Sequence, residues 1–129
     1  MDLPMRSHVV DLGFVRFFIT DNDIVVSDYM KGVVLDLEKS KLVHSYIGEL
    51  CDYKPKNQLF LACDGLEANR EVRAWGLTED ASKYTIKSAI VCESLAHRII
   101  GNVLINLRGF PRQTKIFAET DRAISWLLE

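Results

Sequence analysis

QLFLAC at 58–63, with KSAIVCE at 87–93 and TKIFAE at 114–119, is the part of the sequence that decides the fold. Each is a short apolar run bounded by polar or turn residues, and runs of this length suit β-strands covered on both faces. Upstream, FVRFFIT (14–20) and DIVVSDYM (23–30) are rich in β-branched and aromatic residues and flank Asp21-Asn22-Asp23. That arrangement predicts an antiparallel hairpin.

Helical patterns lie between the runs. Leu42, Val43, Tyr46, Ile47 and Leu50 recur as one apolar stripe, with Asp36 placed to cap its N-terminus. Lys54-Pro55-Lys56-Asn57 ends this helix and starts the next strand. Asn69 to Leu77 and Thr78 to Tyr84 predict two short helices broken near Gly76, the second capped by Thr78. Ser94 is placed to cap a helix whose Leu95, Ile99, Val103 and Leu107 share one face and which stops at Gly109, two residues before Pro111. Thr120 is the expected cap of the last helix, with Ala123, Ile124, Leu127 and Leu128 as its stripe. The order β-β-α-β-α-β-α-β-α predicts an α/β fold with a mixed sheet of about five strands. The opening hairpin supplies the antiparallel pair, and helical crossovers make the rest mostly parallel.

The chain has 129 residues, 48% hydrophobic, and a formal net charge of −2. This length and apolar content fit one domain spanning 1–129 with an ample core. Sixteen Lys+Arg against eighteen Asp+Glu leave no basic field, which argues against a nucleic-acid binder. MDLPMRSHVVDLG has no basic segment followed by an apolar one, so no signal peptide is expected. RIIGNVLINL (98–107) is about half a membrane span and carries Arg98, Asn102 and Asn106. The expectation is a cytoplasmic protein without a membrane span. Cys51, Cys63 and Cys92 are an odd number without CxxC spacing and are read as inert core thiols. His8, His44 and His97 show no HxxxH or HExxH spacing, so neither metal nor cofactor is expected.

No GxGxxG, GxxxxGK[ST], GxSxG or HExxH pattern occurs, and no catalytic residue is nominated. Ligands of open α/β sheets sit beyond the carboxyl ends of the strands, which picks out Asp64, Glu93-Ser94 and Glu119-Thr120. Asp64 precedes Gly65 and reads either as a turn residue or as a carboxylate at the ligand edge. In Ser94-Leu95-Ala96-His97-Arg98, a helix N-terminus offers free N–H groups while His97 and Arg98 add donors. This turn is either a plain cap or a site for a phosphate or carboxylate. Gly101, mid-helix, suggests a close approach by another element or a ligand, and Asn102 ties a loop or lines a pocket. Asp64, Ser94, His97, Arg98 and Asn102 are therefore the candidate ligand-binding residues. Trp75 and Trp126 read as core or edge anchors.

From Leu59 onward the chain resembles small bacterial proteins described as STAS/CRAL-TRIO-like, related in fold to the anti-sigma-factor antagonists (the SpoIIAA-like fold). The resemblance rests on the strand ending at Asp64, the Arg70–Tyr84 double helix and the strand leading into Arg98-Ile99-Ile100-Gly101-Asn102. The Pro111 turn, the strand Thr114-Lys115-Ile116-Phe117 and the final Asp121–Leu127 helix continue it, and Asp23 to Leu50 also fits. It implies a STAS-like sheet in a family largely without assigned activity. Anti-sigma-factor antagonists carry a phosphorylatable Ser or Thr at the start of the helix after the central strand. Here Asp64-Gly65-Leu66-Glu67-Ala68-Asn69-Arg70 has no hydroxyl. The expected function is a non-catalytic regulatory or protein-interaction domain, with a second copy or another protein as partner. The alternative is a small anionic-ligand or lipid-binding module around Ser94–Arg98.

Overall fold

A computed structural model describes residues 3–61, 66–95, 97 and 110–129. In chain order its elements begin with β1 (Val10–Asp11), β2 (Val15–Ile19), β3 (Ile24–Tyr29), β4 (Val34–Leu35) and α1 (Leu37–Leu50). There follow β5 (Lys56–Leu61), β6 (Glu67–Ala68), α2 (Arg70–Gly76), α3 (Glu79–Ser82), β7 (Thr85–Val91), β8 (Thr114–Phe117) and α4 (Thr120–Leu127).

The hairpin forms as expected, with β2 and β3 in antiparallel register from Val15 opposite Tyr29 to Ile19 opposite Val25. Asp23 turns the chain at φ 68°, a left-handed conformation that Asp tolerates better than most residues. Its carboxylate meets Lys56 Nζ at 2.9 Å and the Arg6 guanidinium. Burial opposes ionisation of Asp23, but Lys56 and then Arg6 overcome it and hold the carboxyl below its ordinary value.

β5 pairs parallel with β3, β7 with β5, and β8 with β7. The six-stranded sheet therefore runs β1-β2-β3-β5-β7-β8, antiparallel at the hairpin end and parallel beyond it. Its extra strand, β1, is two residues long, too short to leave a period-two signal. β4 and β6 form a separate two-residue parallel pair.

Adjacent residues of a strand point to opposite faces, and both faces are covered. Val15, Phe17, Ile19 and Val25 pack with Val43, Ile47 and Cys51 on the α1 side. Ile24, Val26, Leu59, Ala89 and Val91 pack with Ala123 and Leu127 on the α4 side. Phe17, Ile24 and Leu59 are fully buried, each contributing roughly 1.5–3 kcal/mol relative to exposure.

The caps at Asp36 and Thr78 form as the sequence predicts, and Asn69, expected as the first residue of its helix, is instead its cap. Asp36 accepts from the Lys39 N–H at 2.7 Å, Asn69 from Val72 at 3.0 Å and Thr78 from Ala81 at 3.3 Å. Two further expectations are corrected. Thr120 is not the cap of α4 but its first residue, buried, because Glu119 is the residue left extended and makes no side-chain cap bond. The inward stripe of α1 is also rotated. Leu42 and Tyr46 are exposed, while Ser40, Val43, His44 and Ile47, at i, i+3, i+4 and i+7, face the sheet.

Cys51 and Cys92 are buried free thiols, and burial raises the pKa of Cys51 above its ordinary value. Cys63, Gly101, Gly109 and most of the helix expected after Ser94 lie outside the described residues. No helix among the described residues is long and apolar enough to cross a membrane.

Candidate functional site

α1 and the α2–α3 pair arch over the sheet and leave a cavity of about 170 Å³ between them. Its floor is Gln58 and Phe60 of β5, its sides are Ser40, Val43, His44 and Ile47 of α1, and Trp75 and Tyr84 complete the lining of this partly open cleft. A cavity of about 150 Å³ is enough to hold a benzene ring.

The apolar walls carry unpartnered polar atoms. Ser40 Oγ, His44 Nε2 and Gln58 Oε1 are all buried and make no hydrogen bond. Ser40 and His44 lie one helical turn apart on α1 and so stand on the same face. Gln58 is only 2% exposed, and its Nε2 donates to the Tyr84 carbonyl at 3.0 Å. That bond fixes the amide orientation and leaves Oε1 as a pure acceptor. Buried polar atoms without partners are uncommon, and each costs about 1–3 kcal/mol. Three such atoms belong to residues that line one cavity, two on its side and one on its floor.

His44 is held by rings. Trp75 meets it edge-on at 5.1 Å and 85°, and Tyr84 lies at 4.8 Å and 31°. Burial is the main reason its pKa falls below the ordinary 6.5, with the Asp80 carboxylate opposing and Lys83 assisting. The imidazole is therefore neutral at pH 7. No Asp, Glu, Lys or Arg is among the residues that line it.

Tyr84 is seated by a glycine. A Cβ at Gly48 would lie 2.7 Å from the Tyr84 ring, so only glycine lets α1 approach so closely. That is worth the roughly 1 kcal/mol a mid-helix glycine costs against alanine. Trp75 is held from outside, its indole N–H donating to Asp80 at 3.2 Å. Lys83 is the first cause that keeps the Asp80 carboxyl below its ordinary value, followed by this Trp75 bond.

The residues singled out from sequence lie elsewhere. Ser94 and His97 follow β7 beyond its carboxyl end, where Ser94 Oγ accepts the His97 N–H at 3.4 Å, the geometry of an N-cap. Asp64, Arg98 and Asn102 lie outside the described residues. Trp126 packs on Phe117 at the α4 face and Trp75 on the cavity. No group of three or more His, Cys, Asp or Glu side chains suited to a metal ion occurs among the described residues. A second depression of about 480 Å³ runs along Leu3, Met5, Phe18 and Leu61, where Arg16 and Asp28 pair with each other at 3.2 Å.

A family model, the domain of unknown function DUF7793, matches residues 17–129. The chain belongs to that family. No curated protein matches it. Among solved structures, an uncharacterised DUF3478-family protein with a SpoIIAA-like fold from Shewanella loihica PV-4 superposes at a TM-score of 0.58. It is 13% identical, over 98% of this chain and 97% of that one. The DUF7793 chain thus shares the SpoIIAA-like fold that its sequence resembles. A protein of unknown function from Arthrobacter sp. FB24 aligns at 15% identity over 87% of this chain and 97% of that one, with a TM-score of 0.28.

Proposed function

We propose that this DUF7793 chain is a non-catalytic regulatory module that works by binding a small molecule in the cavity under α1. The observation that carries this reading is an aromatic-walled cavity lined by Ser40, His44 and Gln58, three residues that each keep a buried, unpartnered polar atom. Small-molecule sites have this composition, mostly apolar with a few polar groups that fix orientation.

Ser40 and His44 make no hydrogen bond to one another, so the pair lacks the contact that activates a serine nucleophile. The absence of a hydroxyl at 64–70 also separates this chain from phosphorylation-switched antagonists of the same fold. Both points favour binding over catalysis or a phospho-switch.

The test uses Trp75 as reporter. Trp126→Phe leaves Trp75 as the single tryptophan, because the chain has two. Neutral single-ring compounds screened against this variant are expected to change Trp75 fluorescence and raise the melting temperature. A screen in which no compound does either would overturn the reading.

A further inference from the structure

We infer that the ligand of this cavity is an uncharged single-ring molecule with an N–H or O–H donor on its edge, accepted by Gln58 Oε1. This inference rests on the reading of the cavity as a binding site and names the chemistry it selects. Three features of the cavity set that chemistry.

Size is the first. About 170 Å³ matches the volume of one six-membered ring. Charge is the second. His44 is the one imidazole in the lining and is neutral there, and no carboxylate, ammonium or guanidinium faces it. An ion entering would lose its hydration with no opposite charge to replace it, a cost far above that of a neutral polar group.

Polarity is the third. Because its Nε2 is already given to the Tyr84 carbonyl, Gln58 offers only a lone pair, and a lone pair selects a donor. Ser40 Oγ adapts to either sense, and His44 Nε2 adds a second directed contact. The ring itself stacks against Trp75, Tyr84 and Phe60. A site built to hydrogen-bond a ligand group rejects the analogue that lacks it, since the site's own buried atom then stays unpaired.

Phenol, toluene and benzoate test this directly, because the first two share shape and differ in the donor, and the third adds charge. Calorimetric or ligand-observed NMR titration at neutral pH is expected to give phenol an affinity on the order of tenfold above toluene, about one hydrogen bond's worth. Benzoate should show no binding at the cavity. In Gln58→Leu, phenol and toluene should become equal, and Gln58→Met serves the same purpose if the leucine variant folds poorly. Equal binding of phenol and toluene to the wild-type chain would overturn the donor assignment while leaving the cavity a binding site. Benzoate binding as tightly as phenol would overturn the neutral-ligand assignment. Failure of all three probes, with water alone in the cavity, would overturn both this inference and the reading beneath it.

Discussion

The two faces of the sheet solve the same packing problem differently. Under α4, Ala123 and Leu127 are sealed against Leu59 and Ala89, and the helix end is tied by side chains of the strands. Asn57 Nδ2 donates to the Leu127 carbonyl at 2.9 Å and Lys87 Nζ to the Trp126 carbonyl at 2.8 Å. These bonds satisfy carbonyls that a helix C-terminus otherwise leaves to water, and Lys87 suits the negative end of the helix dipole. Under α1 the facing positions hold Ser40 and His44 among Val43 and Ile47, and the helices stand off to leave a cavity. Of five buried, unpartnered side-chain atoms among the described residues, Ser27, Ser40, His44 and Gln58 supply four on this face and Asn57 the fifth on the other. One face is built for stability, and the other gives up stability to keep polar atoms free.

Truncation should therefore act with opposite sign on the two faces. Leu127→Ala, at a residue 1% exposed, is expected to lose about 2–5 kcal/mol in urea unfolding, because the closed face cannot collapse around the gap. A loss below 1 kcal/mol would mean the α4 face is loosely packed. Gly48→Ala should cost about 1–3 kcal/mol, since its Cβ meets the Tyr84 ring and pushes it toward the cavity. The same variant should weaken phenol binding, and full retention of affinity would detach Tyr84 from the site.

On the cavity face, Ser40→Ala removes a buried atom that has no partner. Its stability is expected within about 1 kcal/mol of wild type, on the stabilising side. A loss of about 2 kcal/mol or more would show that Ser40 is satisfied in the folded protein and that the contrast is overdrawn.

The smallest effect is one of pH. His44 is lowered from 6.5 in the folded chain, so below that value the unfolded chain takes up a proton that the folded one resists. Stability from this group is complete above the ordinary histidine range and falls as pH drops through it. His44→Gln should flatten the urea midpoint between pH 7.5 and pH 5 relative to wild type. An unchanged slope would mean that His44 accepts its proton in place.

The five longer strands, the hairpin and the caps at Asp36, Thr78 and Ser94 were legible because each has a strong local cause, such as Asp36 before a helix or Asp23 in a tight turn. β1 and the β4–β6 pair were not, since two residues carry no periodicity and pairing depends on distant partners. The α1 stripe was misassigned for an instructive reason. Leu42 and Tyr46 are apolar and outward, while Ser40 and His44 are polar and inward. Hydrophobic patterning assumes that polar residues face water, and that assumption breaks at a site. The legible hint was the spacing of Ser40, Val43, His44 and Ile47, a helical face mixing two polar and two apolar residues. Gln58, at the head of the apolar run 58–63, was the matching hint from below. Only the fold brings them together.

Whether the α1 face binds a ligand is decided by an NMR titration of the ¹⁵N-labelled chain with phenol. A binding face gives progressive shifts of the Ser40–Ile47 amides, the Gln58 side-chain amide and the Trp75 indole, with Leu127 and its neighbours unmoved. Shifts confined to the Ser94–His97 turn or to the α4 face, or none at any residue, would contradict it.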